Sequence, residues 1–264
     1  MNTFKTALVQ TDTQRDPLKS LDEIKIYIKE AALNGADFVM LPEVCDYTAG
    51  RHNISITDTF KKTFAALAKE YKIWLHGGSI HEYTGERSAD DLPYNTTFVY
   101  APDGTQVTRY RKIHMFDVNI ENGPCIRESD IFTSAEDIIS ADTDFGKIGL
   151  SICYDIRFPH MFRKMALSGA NILCCSANFT KPTGEAHWEI LLKARAIETG
   201  SYVFACNQCG VKKDFTAYGN SMIIDPWGRI LERADTAPGI IYADIDLSQV
   251  KTVRSRVPVL SYEF

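Results

Sequence analysis

The chain has 264 residues, of which 45% are hydrophobic and 24% charged. That composition fits a soluble globular protein with enough chain for a large core. A formal charge of -5 leaves no basic footprint, which argues against a nucleic-acid partner, and no apolar run approaches the ~20 residues needed to span a bilayer.

The predicted elements begin with a strand over Thr6–Gln10. Leu21, Ile24, Ile28 and Ala31 then recur at helical spacing, and Gly35 supplies a stop. Phe38–Leu41 is a short apolar run, as expected of a strand covered on both faces, and Pro42-Glu43 ends it. Phe60, Phe64, Leu67 and Tyr71 mark a second helix, and Trp74–Ser79 a further strand. Asn95–Tyr100 and Gln106–Tyr110 form a hairpin across Pro102-Asp103-Gly104. Residues 113–140 read as one long irregular loop, a feature that is usually functional.

The pattern then repeats. A strand over 147–152 leads into a helix from Pro159 to Ser168, stopped at Gly169. Ile172–Ser176 is a strand, His187–Glu198 a helix, and Tyr202–Asn207 a strand. Ser221–Ile224 and Ile230–Arg233 form a second hairpin across Asp225-Pro226-Trp227-Gly228. Gly239–Ile245 is the last strand, and Asp246 caps a short helix. The two hairpins echo each other, so the chain reads as two similar halves, each a sheet with helices on its outer face. Packed together, two such sheets give an α/β fold of four layers, an α-β-β-α sandwich. No linker rich in Gly, Ser or Pro separates the halves, so residues 1–264 are expected to form one domain.

Seven cysteines at irregular spacings, behind a start with no apolar core and cleavage site, predict reduced thiols in a cytoplasmic protein. Cys206 and Cys209 have C-x-x-C spacing, but no second cysteine pair or matched histidines accompany them, so they read as core residues.

Three polar residues stand where predicted strands stop: Glu43, Lys112 and Cys153. Strand ends in layered α/β proteins open into the ligand crevice. If the three ends meet, they bring together a base, a cation and a nucleophile. A carboxylate takes the thiol proton as sulfur attacks a carbonyl carbon, and an ammonium then neutralises the oxyanion, helped by the backbone N–H of Tyr154. Taken singly, each has a plainer reading: a capping carboxylate, a solvated lysine, a buried cysteine.

The segments Leu41-Pro42-Glu43, Tyr110-Arg111-Lys112-Ile113-His114 and Ile152-Cys153-Tyr154-Asp155-Ile156-Arg157-Phe158-Pro159 resemble the three signature blocks of the carbon–nitrogen hydrolase (nitrilase) superfamily. The resemblance covers essentially the whole chain. It implies the four-layer sandwich, no cofactor or metal, and a triad of Glu43 as base, Lys112 as oxyanion cation and Cys153 as nucleophile. A second glutamate of the family, which positions substrate and lysine, matches Glu128. Tyr154-Asp155 after the cysteine departs from the Trp-Glu typical of nitrile-hydrolysing members. The run Thr183-Gly184-Glu185-Ala186-His187-Trp188-Glu189 is similar to the Nit subgroup, which holds omega-amidase and deaminated-glutathione amidase. The implied substrate is a small-molecule amide carrying a carboxylate, which Arg157 would clamp bidentately with a hydroxyl from Thr183; the alternatives are a carbamoylase or simple aliphatic amidase on the same triad, and a catalytically silent interaction module of the same fold. The subgroup also implies a homodimer or larger assembly. Asp117–Gly123 departs from the subgroup's pattern and is expected at the substrate mouth.

Overall fold

A computed structural model of the chain describes residues 3–13, 15–46, 54–84, 92–119 and 125–262. The first half opens with strand β1, Thr3–Gln10, and helix α1, Pro17–Leu33. Asp16 caps α1 by accepting the Leu18 amide at 3.0 Å. Pro17 then sits where an N–H would have no intrahelical acceptor. Leu21, Ile24, Ile28 and Ala31 form the buried stripe that their spacing predicts. Next come β2 (Phe38–Met40), α2 (Ile54–Tyr71), β3 (Trp74–His76), β4 (Ile80–Glu82), β5 (Tyr94–Tyr100) and β6 (Gln106–Arg111). The strand predicted over 74–79 therefore stops at His76, and a further strand starts at Ile80, beyond its predicted end. Gly78 turns the corner at φ +62°, and a Cβ there would collide with the Pro42 carbonyl oxygen.

The region predicted as loop holds a small ribbon, β7 (Asp117–Asn119) against β8 (Cys125–Arg127), followed by a 3-10 turn, Glu128–Asp130. Short, mostly polar strands of this kind carry no readable alternation. Of the Asp117–Gly123 segment, Ile120–Gly123 lie outside the described residues.

The second half contains β9 (Ser140–Thr143), β10 (Gly146–Ile152), α3 (Pro159–Leu167), β11 (Ile172–Ala177), α4 (Lys181–Thr183), α5 (Glu189–Thr199), β12 (Tyr202–Asn207), β13 (Met222–Ile224), β14 (Ile230–Arg233), β15 (Gly239–Asp246) and α6 (Ser248–Arg256). A π-helical turn, Gly184–Trp188, joins α4 to α5, so the helix predicted from His187 starts at Lys181.

One sheet has the order β15-β1-β2-β3-β5-β4, with β6 on β5; the other runs β14-β13-β12-β11-β10-β9. In each, three parallel strands are followed by an antiparallel hairpin: β1-β2-β3 then β5-β6, and β10-β11-β12 then β13-β14. The hairpin echo in the sequence thus reports a repeat of topology. The repeat extends to the other edge, where β9 lies antiparallel to β10 as β15 does to β1. β15 lies antiparallel to β1, from Thr3↔Asp246 to Gln10↔Gly239, so the end of the chain completes the first sheet.

Alternation along the strands sets the layers. Phe4, Leu8, Phe38, Met40 and Trp74 join a core with Ile148, Leu150, Cys174 and Phe204 between the sheets. Val9, Val39, Leu41 and Leu75 pack outward against Ile24, Ile28, Phe60 and Phe64 of α1 and α2. Met161, Phe162 and Met165 of α3 and Leu192 and Ala196 of α5 are buried on the other sheet. The result is the α-β-β-α sandwich. Polar pins cross the centre: Ser176 Oγ donates to Leu41 O at 3.0 Å, and Cys206 Sγ donates to Val9 O at 3.2 Å. The thiol of the C-x-x-C pair is thus part of the core.

Candidate active site

Glu43 lies just past β2, on a corner held from the facing sheet. Its amide donates to Ala177 O at 3.3 Å, and Gln208 Nε2 donates to the carbonyls of Glu43 (2.6 Å) and Val44 (3.0 Å). Val44 has φ +53°, a left-handed conformation for which these bonds compensate. Lys112 follows β6, its amide donating to Asn95 O at 2.9 Å. Glu128 begins the 3-10 turn after β8.

These side chains meet. Lys112 Nζ lies 2.9 Å from Glu43 Oε1, and 2.7 and 2.8 Å from the two carboxylate oxygens of Glu128. Asn95 Nδ2 donates to Glu43 Oε1 at 2.9 Å. The Asn178 amide donates to Glu43 Oε2 at 2.8 Å, and the Phe116 amide to Glu128 Oε2 at 2.6 Å. Lys112 is 1% exposed. Burial works against its charge, but Glu128 and then Glu43 outweigh that and raise its pKa well above the ordinary lysine value. Burial, followed by the charge of Glu43, pushes the Glu128 carboxyl upward against the pull of Lys112.

Cys153 stands at the corner between β10 and the 3-10 turn Cys153–Arg157, at φ +49°. A β-carbon in that region is strained, and such strain collects where a side chain must be presented at a fixed angle. Burial raises the thiol pKa well above its usual value. Glu43 and Glu128 add to the shift, while Lys112 and the Asn178 amide oppose it.

Glu43, Lys112, Glu128 and Cys153 all line one cavity of about 450 Å³. Its walls are largely apolar, with Leu92, Phe116, Ile126 and Phe132 among them. His81 also lines it, its Nδ1 3.0 Å from the fully buried Asp46 carboxylate. A recess of about 20 Å³ continues between Cys153, Tyr154, Phe179 and Thr183. Thr183 Oγ1 pairs there with Thr180 Oγ1 at 2.8 Å.

Arg157, expected in the pocket, is not among the residues lining the cavity or the recess. Its guanidinium lies 5.6 Å from the Tyr154 ring and 5.5 Å from the Phe179 ring, and both terminal nitrogens are 3.3 Å from His187 Nδ1. Aromatic faces draw a planar cation, which accounts for this seat. Asn95, Gln208 and the Asn178 amide were not singled out by sequence reasoning. Asn95 reads there as the first residue of a strand, and a backbone N–H leaves no trace in side-chain patterns. Among the described residues, no group of three or more His, Cys, Asp or Glu side chains is gathered as a metal site.

The chain is similar in sequence and fold to known proteins. Residues 5–255 match the family model described as Carbon-nitrogen hydrolase. The chain is 35% identical to omega-amidase NIT2 of Mus musculus, over 98% of this chain and 95% of the relative. It is 36% identical to the deaminated glutathione amidase of Dictyostelium discoideum, over 97% and 91%. The crystal structure of the C. elegans NitFhit protein superposes with a TM-score of 0.91 at 34% identity, covering 100% of this chain and 65% of that one. Saccharomyces cerevisiae Nit3, described as a member of branch 10 of the nitrilase superfamily, superposes with a TM-score of 0.84 at 30% identity, over 98% and 95%. On its fold, its gathered strand ends and these matches, the chain belongs to the carbon–nitrogen hydrolase family.

Proposed function

We propose that this chain is an amidase that cleaves the C–N bond of a small carboxylate-bearing amide through a thioester on Cys153. Deaminated glutathione is the first candidate substrate and a 2-oxo-dicarboxylic monoamide the second. The observation that carries the reading is the Lys112 ammonium held between Glu43 and Glu128 on the wall of a cavity that Cys153 shares.

In this reading Glu43 takes the thiol proton as Cys153 Sγ bonds to the amide carbon. Lys112 Nζ and the Tyr154 backbone N–H stabilise the tetrahedral oxyanion. The C–N bond then breaks, and Glu43 returns the proton to the departing nitrogen. Water next attacks the thioester while Glu43 accepts its proton. The acid leaves as the C–S bond breaks, and the proton returns to sulfur. Glu128 orients Lys112 and the substrate amide. The recess beside Thr183 and Tyr154 receives the acyl carboxylate, with Arg157 against its rings as counter-charge. A cavity of about 450 Å³ favours the longer substrate, since departing ammonia would leave most of it unused.

The full chain acts as one catalytic domain. Seven free cysteines support a reducing, cytoplasmic setting. Exposed Ile190, Ile197 and Trp227, at 70%, 51% and 51%, support self-association into a dimer or larger assembly. None of the described helices is long and apolar enough to cross a membrane.

The test is release of amine or ammonia from a panel of amides, wild type against Cys153→Ala. The reading requires turnover of oxo-acid amides, lost in the variant. Equal rates on carboxylate-free amides would remove the anchor assignment, and turnover by Cys153→Ala would remove the mechanism.

A further inference from the structure

We propose that Asn178 is a substrate-binding residue whose side-chain carbonyl accepts the N–H of the scissile amide, so that the site selects amides over esters of the same acid. The inference rests on the amidase reading above and assigns the group that recognises the departing nitrogen.

Asn178 is the first residue after β11, and it lines both the large cavity and the recess beside Cys153. Cys153 borders both spaces as well, so the bond it attacks lies where they meet. The backbone is fixed on either side of Asn178. Ala177 O accepts the Glu43 amide at 3.3 Å and the Gln208 amide at 2.9 Å, and the Phe179 amide donates to Asn207 Oδ1 at 2.9 Å. The Asn178 amide itself donates to Glu43 Oε2 at 2.8 Å. The side chain is not used in this way. Its Oδ1 is buried and accepts no hydrogen bond among the described residues. A buried carbonyl without a donor is unfavourable, and beside a nucleophile a bound substrate is the natural source of that donor.

The scissile group decides which end of the side-chain amide is used. In the reaction above, its oxygen faces Lys112 Nζ and the Tyr154 N–H. What remains is a donor, the N–H of the departing nitrogen. The nearby carboxylates have little acceptor capacity left for it. Glu43 Oε1 accepts from Lys112 and Asn95, Glu128 Oε1 from Lys112, and Glu128 Oε2 from Lys112 and the Phe116 amide. Glu43 Oε2 already holds the Asn178 amide and must also receive the thiol proton. Oδ1 of Asn178 is an acceptor on the same wall with no such commitment.

An ester places an oxygen where the amide has its N–H. Two acceptors then face each other, and Oδ1 stays unpaired. A site built to hydrogen-bond a substrate N–H discriminates against the analogue that lacks it for this reason. Turned over, the Asn178 side chain would instead donate, and it would serve an oxygen on the acyl side that amide and ester share. The two orientations therefore predict different substrate dependence.

The experiment uses the N-methyl amide and the methyl ester of one 2-oxo-dicarboxylic acid, which differ only in N–H against O. Their kcat/KM values are measured with wild type, Asn178→Ala and Asn178→Ser, and a thermal melt is recorded for each protein. Both variants keep the backbone N–H on Glu43. The amide-to-ester ratio of kcat/KM is expected to fall about tenfold in Asn178→Ala. It falls less in Asn178→Ser, whose hydroxyl stops one bond short of the contact. Either variant that folds decides. Equal losses on both substrates, or an unchanged ratio, overturn the proposal, because a structural or acyl-side role does not distinguish N–H from O. If the wild type binds the ester without turnover, the affinities of Cys153→Ala with and without Asn178→Ala are compared, and the amide must weaken about tenfold more than the ester. A wild type that turns over no amide removes the amidase reading and this assignment with it. An active wild type with an unmoved ratio removes only the role of Asn178.

Discussion

Tyr110 and Asp155 share a 2.6 Å hydrogen bond that ties the strand leading into Lys112 to the turn carrying Cys153. Asp155 is fully buried. Its Oδ2 also accepts the Ile152 amide at 2.8 Å, and its Oδ1 accepts from the His114 amide at 3.2 Å and pairs with His114 Nδ1 at 2.7 Å. One carboxylate thus fixes residues on both sides of Lys112 against the residue before Cys153. Tyr110→Phe removes a charged-acceptor bond and orphans the Ile113 amide, which donates to Tyr110 Oη. It is expected to destabilise the protein by about 1–3 kcal/mol and to lower kcat more than it changes KM. Urea unfolding with steady-state kinetics checks this; unchanged stability would contradict the clamp.

The buried Cys153 thiol, with its pKa well above the usual value, is expected to react slowly with iodoacetamide at pH 7. The thiolate is the reactive form, so labelling should climb about tenfold per pH unit through pH 9 without levelling. Mass-spectrometric labelling rates measure this. A plateau below pH 8 would mean a resting thiolate, and Glu43 would then have no proton to take.

Lys112→Met leaves Glu43 and Glu128 buried around an absent cation. Breaking a buried pair from one side costs about 3–5 kcal/mol. Adding Glu128→Gln removes one of the stranded charges, so the double variant should recover part of that loss. Urea midpoints decide: a double variant no more stable than Lys112→Met would show that charge is not the cause.

His76 is fully buried, with neither ring nitrogen hydrogen-bonded, and burial lowers its pKa to about 3. The unfolded chain binds a proton near pH 6.5 that the folded one refuses. Stability is therefore complete above about pH 6.5 and falls as the pH drops from there toward 3. The slope is about 1.4 kcal/mol per pH unit. His76→Leu should remove it, narrowing the wild-type loss between pH 6.5 and 5 by about 2 kcal/mol. Equal slopes in urea titrations of both proteins would contradict a neutral His76.

Much of this was legible because strand ends announce themselves. Glu43, Lys112 and Cys153 each interrupt an apolar or alternating run at the point where the chain turns, and those three points do converge. The helices of the outer layers follow from apolar spacing, as Leu21 to Ala31 in α1 illustrates. Two kinds of information were hidden. Pairing between distant strands leaves no local mark, so nothing near Gly239 foretold that β15 would join β1. Residues that act through a backbone group or from inside a strand are equally silent: Asn178 holds Glu43 through its amide, and Asn95 sits in an ordinary strand pattern. Arg157 is a third case: its place four positions past the cysteine is legible, but its seat against two aromatic rings and His187 is not.

The central claim is that these groups form an acyl-enzyme. It is tested most directly by intact mass spectrometry of the protein quenched soon after mixing with an oxo-acid amide. The account predicts a mass increase equal to the acyl group, located on Cys153 and absent from Cys153→Ala, which stays folded and inactive. Turnover at an undiminished rate by Cys153→Ala, or an adduct on another residue, would contradict it.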